Sequence, residues 1–424
     1  MPALVLRNVR PYGGEPSDLA IGDGRIIHAG QTPADARELD CTGLIALPGL
    51  VDLHTHLREP GRPDTETVES GTSAAARGGY TAIFAMANTN PVADSAAAVE
   101  NVAALGRQAA HCDVYPVGAV SVGLEGARLA DIVGMARSSA QVRLFSDDGR
   151  CVADPALMRD ALAAVRGVGG VLAQHAQEPA LTVGSQLNDG VVSRELGLPG
   201  WPAMAEEAVI ARDVVMAHHM GARLHICHVS TAGSVEVIRW AKAQGFPVTA
   251  EVTPHHLTLV DELSRTGDAT YKVNPPLRTL EDVHAVQSAL VDGTIDVVAT
   301  DHAPHLRQEK QLDWSSAPMG MLGLETALAL VAEVFIGGNR LNWRQIAWRM
   351  STRPAELMGI LDQHGNDLTP GSPASMCLID PHRPWTVDPK SFASLSANSP
   401  FAGTRLNARV VATVLRGAIT YDAL

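Results

Sequence analysis

The chain has 424 residues, 46% of them hydrophobic, and a formal net charge of -13. That length exceeds one ordinary compact domain and allows a large barrel plus a smaller unit. The acidic balance without blocks of like charge excludes nucleic acid as the obvious partner, and no apolar run is long enough to cross a membrane. The five cysteines, Cys41, Cys112, Cys151, Cys227 and Cys377, are scattered and form no CxxC pair. Together with an N-terminus that lacks a signal-peptide pattern, they predict a reduced, cytoplasmic protein.

In chain order, the first fifty residues read as short strands with tight turns. "ALVLRNV" alternates, "DLAIGDGRIIHAG" carries a Gly-Asp-Gly hairpin signal, and "TGLIALPG" follows. The tail is similar: "SPASMCLIDP" and "ARVVATVLRGAITYD" are β-like segments broken by Pro and Gly. Both ends together predict a small β-sandwich domain, residues 1–50 plus 362–424, around a separate unit over 51–361.

That middle unit repeats one theme, an apolar run ending in a polar cluster and followed by an Ala-rich helical pattern. Eight runs fit: "GLVDLHTH", "YTAIFAMANT", "DVYPVGAVS", "AQVRLFSDD", "GGVLAQHA", "ARLHICHVS", "FPVTAEVTPHH" and "DVVATDHAPH". Alternating strands and helices imply a parallel sheet, and eight units imply a (β/α)₈ TIM barrel with its site at the carboxyl ends of the strands. A doubly wound open sheet would not need eight comparable units, and no GxGxxG follows the first strand.

The strand ends carry the chemistry. Run one gives His54 and His56, run four Asp147 and Asp148, run five His175, run six His228 and run eight Asp301. Alternation puts His54 and His56 on one face of their strand. Imidazoles and carboxylates converging from several strands suit a borderline-soft divalent metal, Zn²⁺ foremost, whose bound water ionises near neutral pH. His218, His219, His255 and His256 are expected to be hydrogen-bonded surface residues. Cys227 is expected to pack on the face opposite its neighbour His228.

The run "LPGLVDLHTHLREPG" together with "ATDHAPH" resembles the cyclic amidohydrolase branch of the amidohydrolase superfamily. More narrowly, it resembles dihydroorotases of the long bacterial type. The likeness spans nearly the whole chain through "ESGTSAAARGGYT", "MANTNPV", "FSDDG", "CHVSTAGSVEVIR", "VTAEVTPHHL", "YKVNPPLR" and "DGTIDVVATDHAPH". It implies one or two Zn²⁺ ions, with His54, His56 and Asp301 at the more buried position and His175 and His228 at the second. Many relatives bridge the two with a carboxylated lysine, but none of the four lysines here closes run four, and Asp148 fits the ligand position.

The resemblance further implies that Arg58, Asn88 and His305 hold a substrate carboxylate. His56, Asn274 and the main chain near Met319 and Gly320 would line the ring. A metal-bound hydroxide would attack the ring amide, with Asp301 as catalytic general acid/base. The implied reaction is the reversible cyclisation of N-carbamoyl-L-aspartate to L-dihydroorotate in de novo pyrimidine biosynthesis. The alternatives are an allantoinase, a hydantoinase or dihydropyrimidinase, a deaminase on the same barrel, or a non-catalytic subunit of an aspartate transcarbamoylase complex. A homodimer is the base expectation, association with aspartate transcarbamoylase is an option, and "LRQEKQLDWSSAPMG" is long enough to be an active-site lid.

Overall fold

The structure, a computed structural model, describes residues 3–424. Each of the eight apolar runs contains a strand: β1 (Leu50–Thr55), β2 (Tyr80–Ala85), β3 (Asp113–Pro116), β4 (Leu144–Phe145), β5 (Val171–Gln174), β6 (Leu224–Ile226), β7 (Val248–Val252) and β8 (Val297–Val298). They pair in parallel as β1-β2-β3 and β4-β5-β6-β7-β8. Parallel bridges from Gly118 to Phe145 and from Thr55 to His302 close the two arcs into a barrel. Closure leaves no sheet edge.

Helices cover the outside. The Ala-rich patterns form Val68–Arg77, Pro155–Gly167, Met204–Met220 and Ala232–Ala243. Three of these start at a side-chain cap: Thr67, Asp154 and Thr231 each accept from a backbone N–H in the first turn. The strands' outward residues, Leu50, Ile83, Phe145, Leu172, Ile226, Val252 and Val298 among them, share one large core with these helices. The inward residues Val51, Leu53, Ala82, Phe84, Leu144, Val171, Ala173 and Val297 fill the barrel. It is a packed plug with the polar site at one end.

The chain ends form a second sheet. Strands Leu4–Pro11, Ser17–Gly22, Arg25–Ile27 and Ile45–Pro48 from one end join Met376–Asp380, Arg409–Leu415 and Ala418–Asp422 from the other. The Asp-Gly signal is a two-residue hairpin: Asp23 and Gly24 both have positive φ (50° and 76°), as a turn matched to strand twist requires. Arg416-Gly417 repeats the device at the tail (47° and 82°). Leu6, Val9, Ile21 and Ile26 meet Met376, Leu378, Val411 and Val414 in a separate core.

Only Gly49 separates strand Ile45–Pro48 from β1. A Cβ there would sit 2.3 Å from the Thr81 side chain, so the crossing needs glycine. Its carbonyl accepts from Ser351 Oγ (2.6 Å) and its N–H donates to Ser375 O (3.0 Å).

Asp113, at the foot of β3, is a second tie between barrel and sheet. It accepts from both terminal nitrogens of Arg416 in the tail hairpin and from His364 Nε2 at 2.8 Å. Burial opposes its charge, but His364 and Arg416 outweigh burial and hold it down to about 2. Its contribution to stability is therefore full above the unfolded carboxylate value of about 3.9 and is lost as pH falls towards 2. Asp113→Asn should lower Tm at pH 6, and the gap to the parent protein should shrink below about pH 4 in calorimetric scans. A gap that does not change with pH would remove the ionic part of this account.

Candidate active site

The end of β1 shows how the sequence aims His54 and His56. The β1–β2 register shifts between Asp52 and Thr55. After Val51 and Leu53 face inward, the shift lets His54 and His56 enter the barrel mouth as well. A bulge of this kind re-aims side chains at a site. Asp52 turns to β8: it accepts from Thr300 N at 2.8 Å and Thr300 Oγ1 at 2.6 Å, fixing the two strands that carry His54 and Asp301.

Asp148 lies at the centre. Its Oδ2 is 3.3 Å from both His54 Nε2 and His56 Nε2. Its Oδ1 is 3.2 Å from His175 Nδ1 and 3.3 Å from His228 Nε2. Each oxygen of one carboxylate thus faces one histidine pair. Asp301 Oδ1 stands 3.2 Å from His56 Nε2 and 3.6 Å from His54 Nε2. The neighbour Asp147 is outside the cluster; it accepts from Val120 N (2.8 Å) and Ser121 N (2.9 Å) and shapes the loop after β3.

Burial works against charge on Asp148 and Asp301, yet the surrounding histidines hold both well below the ordinary carboxylate range. The mouth therefore presents ionised carboxylates among imidazole nitrogens. The fit to a metal rests on the donor atoms themselves. His54 Nε2 is buried and has no hydrogen-bond partner among the described residues, and His175 Nδ1 and His228 Nε2 face each other at 2.9 Å. Two groups, His54–His56–Asp148 and Asp148–His175–His228, each bring three ligand atoms close enough for one ion.

Three residues here hold left-handed backbones: Arg58 (φ 59°), His228 (33°) and Asp301 (46°). Such conformations are costly outside glycine and persist where the surroundings fix them. At His228 this overturns the expected alternation. β6 ends at Ile226, and Cys227 belongs to the barrel-filling core, facing inward as His228 does. The kink at His228 turns its ring into the cluster; Cys227 still packs, but inside the barrel.

His255 and His256 also depart from expectation, because both are buried. The segment after β7 folds back under the mouth. His256 bonds Thr253 Oγ1 (2.7 Å) and Pro275 O (3.1 Å), and burial pushes His255 down to about 4, so it is neutral. His218 and His219 are exposed at a helix end, with His218 stacked on Phe246.

Glu251, on β7, has no assigned part in the sequence reading. It is buried and accepts from His54 Nδ1 at 2.7 Å, His225 Nε2 at 3.0 Å and the His228 main-chain N–H at 3.2 Å. Burial opposes its charge, but His54 and His225 outweigh burial and hold it at about 2. It fixes His54 with Nδ1 protonated and Nε2 bare, as a metal ligand requires. With Cys227 and His54 it forms a third convergent group. The signal was present in "VTAEV", where alternation puts Thr249 and Glu251 on the inward face of a buried strand.

A cavity of about 210 Å³ opens beside Asp148 and Asp301. Its walls include His56, Arg58, Asn88, His175, Asn274, His305, Met319 and Gly320. Arg58 Nε donates to Pro304 O (3.1 Å), while its terminal nitrogens make no hydrogen bond among the described residues. Burial lowers it to about 10, so it stays cationic at neutral pH. It forms no ion pair with Glu59, whose Oε2 accepts from Val68 N at a helix start.

Asn88 Oδ1 accepts from His56 Nδ1 (2.9 Å), which leaves its amide nitrogen as a donor. Asn274 has the opposite polarity: its Oδ1 is buried without a partner among the described residues. His305 Nε2 donates to Met319 O (2.8 Å), and burial pushes this ring down to about 3. Gly320 (φ 142°) needs its missing side chain, since a Cβ would lie 2.7 Å from His305 Nε2. The segment after His305 is pinned in place. Lys310 Nζ donates to the carbonyls of Lys272, Pro318 and Gly320, and Trp314 is buried in a small satellite core.

Residues 43–234 match the family profile described as Dihydro-orotase-like. Dihydroorotase of Streptomyces coelicolor is 56% identical over 423 residues, 99% of this chain and 98% of the relative. The chain belongs to the dihydroorotase family. Dihydroorotase of Mycobacterium tuberculosis is 51% identical over 422 residues, again 99% of this chain and 98% of the relative. Among solved structures, the L-hydantoinase (dihydropyrimidinase) of Arthrobacter aurescens superposes with TM-score 0.88 at 25% identity, covering 100% of this chain and 97% of that one. The dihydropyrimidinase of Brevibacillus agri gives 0.85 at 23% identity over 99% and 95%.

The fold is therefore the amidohydrolase barrel with a terminal sheet domain, and the enzyme is a cyclic amide hydrolase, a dihydroorotase. Among the described residues, no helix is long and apolar enough to cross a membrane.

Glu251→Gln keeps an acceptor for His54 but removes the charge that stabilises its orientation. Such outer partners typically contribute 10–100-fold in metal affinity, so the variant should bind zinc at least ~10-fold more weakly in chelator competition. Unchanged affinity would reduce Glu251 to a packing role.

Proposed function

We propose that this dihydroorotase holds two zinc ions, one among His54, His56 and Asp301 and one between His175 and His228, with Asp148 shared by both. Support comes from the two oxygens of Asp148, each directed at a different histidine pair. When bound, such a metal pair polarises an amide carbonyl and activates water. Metal analysis of the purified enzyme should give two zinc ions per chain. One ion, with full activity, would count against the shared role of Asp148.

The observation that carries the substrate assignment is the polarity of the cavity. Arg58 and the Asn88 amide nitrogen make one side cationic and donating, while Asn274 Oδ1 makes another side accepting. A ring that carries both a carboxylate and an N–H is complementary to this arrangement. L-Dihydroorotate is such a ring, and N-carbamoyl-L-aspartate is its opened form.

Arg58 supplies the charge for the carboxylate through its free terminal nitrogens. Asn88 adds a donor whose direction His56 fixes. His305, neutral at pH 7, adds a second by turning its Nε2–H from Met319 O to the ligand. The main chain at Met319 and Gly320 closes the ring's other edge. Asp301 moves the proton: ionised and within 3.2 Å of His56 Nε2, it accepts from the attacking water and donates to the leaving ring nitrogen.

We propose residues 1–50 and 362–424 as the β-sandwich domain and the cytoplasm as the enzyme's location. A second copy of the chain, or aspartate transcarbamoylase, would cover the exposed apolar residues Leu181, Val183, Val191 and Met204.

Arg58→Ala should cost about 2–5 kcal/mol of substrate binding, an increase in KM of roughly 30-fold or more for dihydroorotate. Turnover of the carboxylate-free ring dihydrouracil should not fall. Equal loss on both rings would refute the carboxylate role.

A further inference from the structure

Gln177 stands two residues beyond His175 and is not among the residues the sequence assigned to the site. Its side chain is the centre of a hydrogen-bond chain whose direction can be read from one end to the other. Thr182 Oγ1 has a single proton and donates it to Glu178 O at 3.1 Å. With its proton placed there, that hydroxyl accepts from Gln177 Nε2 at 2.8 Å. This fixes the amide: Oε1 must point the other way. There it accepts two bonds, from His175 Nε2 at 2.9 Å and from Asn274 Nδ2 at 3.1 Å.

Two consequences follow at the active site. With Nε2 protonated, His175 turns a bare Nδ1 lone pair to Asp148 and His228, the form in which a neutral imidazole binds metal. With Nδ2 committed to Gln177, Asn274, a residue of the cavity wall, keeps Oδ1 as its spare acceptor, buried and without a partner among the described residues. An amide free to flip would offer the ring an NH₂ in half of its states and reject a ring N–H.

We propose that Gln177 is a positioning residue that sets, through one carbonyl oxygen, both the tautomer of His175 and the orientation of Asn274. It thereby links the second metal position to recognition of a ring N–H on the substrate. This rests on the assignment of His175 and Asn274 to metal and substrate above.

The test is a double-mutant cycle with zinc retention as a second readout. Gln177→Met keeps the bulk and removes the acceptor. It should raise KM for dihydroorotate about tenfold, the equivalent of one ordinary hydrogen bond, and weaken zinc retention against a chelator by about tenfold or more. Asn274→Ala should raise KM and leave zinc retention as in the parent enzyme. If Gln177 acts on the ring through Asn274, the double variant should be little worse in KM than the worse single one. Gln177→Glu, whose carboxylate accepts from both partners while Thr182 turns to donate, should restore KM and zinc retention together.

Additive KM effects would overturn the link to Asn274, and zinc retention unchanged in Gln177→Met would overturn the link to His175. If Asn274→Ala alone leaves KM unchanged, the substrate assignment of Asn274 falls first and takes this inference with it.

Discussion

The structure depends on keeping ionised carboxylates dry. Asp148, Asp301 and Glu251 are almost fully buried at the mouth of an apolar barrel, where an unpaired charge would cost several kcal/mol. Each is matched by imidazoles: His54 and His56 from β1, His175 after β5, His225 and His228 from the β6 end. Much of the remaining architecture holds those partners in place. The β1 bulge, the left-handed turns at His228 and Asp301, and the Asp52 bond to Thr300 all aim a side chain that the regular strand would send elsewhere.

The substrate pocket follows the same logic with neutral groups. Side-chain amides point in either direction at little intrinsic cost, so a specific pocket must fix them from behind. His56 does this for Asn88, and Gln177 does it for Asn274. In the proposed roles, metal ligands and ring-binding amides are thus joined by single hydrogen bonds. Chemistry and recognition share one scaffold, and neither half can be redesigned alone.

The barrel was legible because its signal is repeated. Eight apolar runs ending in polar clusters leave few other architectures, and the His-x-His pair, weak alone, gains weight from His175, His228, Asp148 and Asp301 at the ends of other runs. Arg58, Asn88, Asn274 and His305, which the sequence singled out, line one cavity. What the sequence hid was direction. Cys227 and His228 break alternation because His228 adopts a left-handed backbone, which no side-chain pattern announces. His255 and His256 read as surface residues because the fold-back that buries them is set by distant partners such as Pro275. Glu251 and Gln177 were visible as letters, but their roles depend on which atoms across the barrel they meet.

The junction at Gly49 bears on how the chain comes to be folded during synthesis. The strand that carries His54 and His56 continues, through one residue, the strand Ile45–Pro48, whose sheet partner is Met376–Asp380. Nascent chains emerge from the amino end, and pairings between remote segments form late. The β1 histidines are therefore made well before Met376–Asp380, the segment that pairs with their anchoring strand. Full registry of β1 therefore waits for Met376–Asp380, and a chain stopped before that segment is denied it.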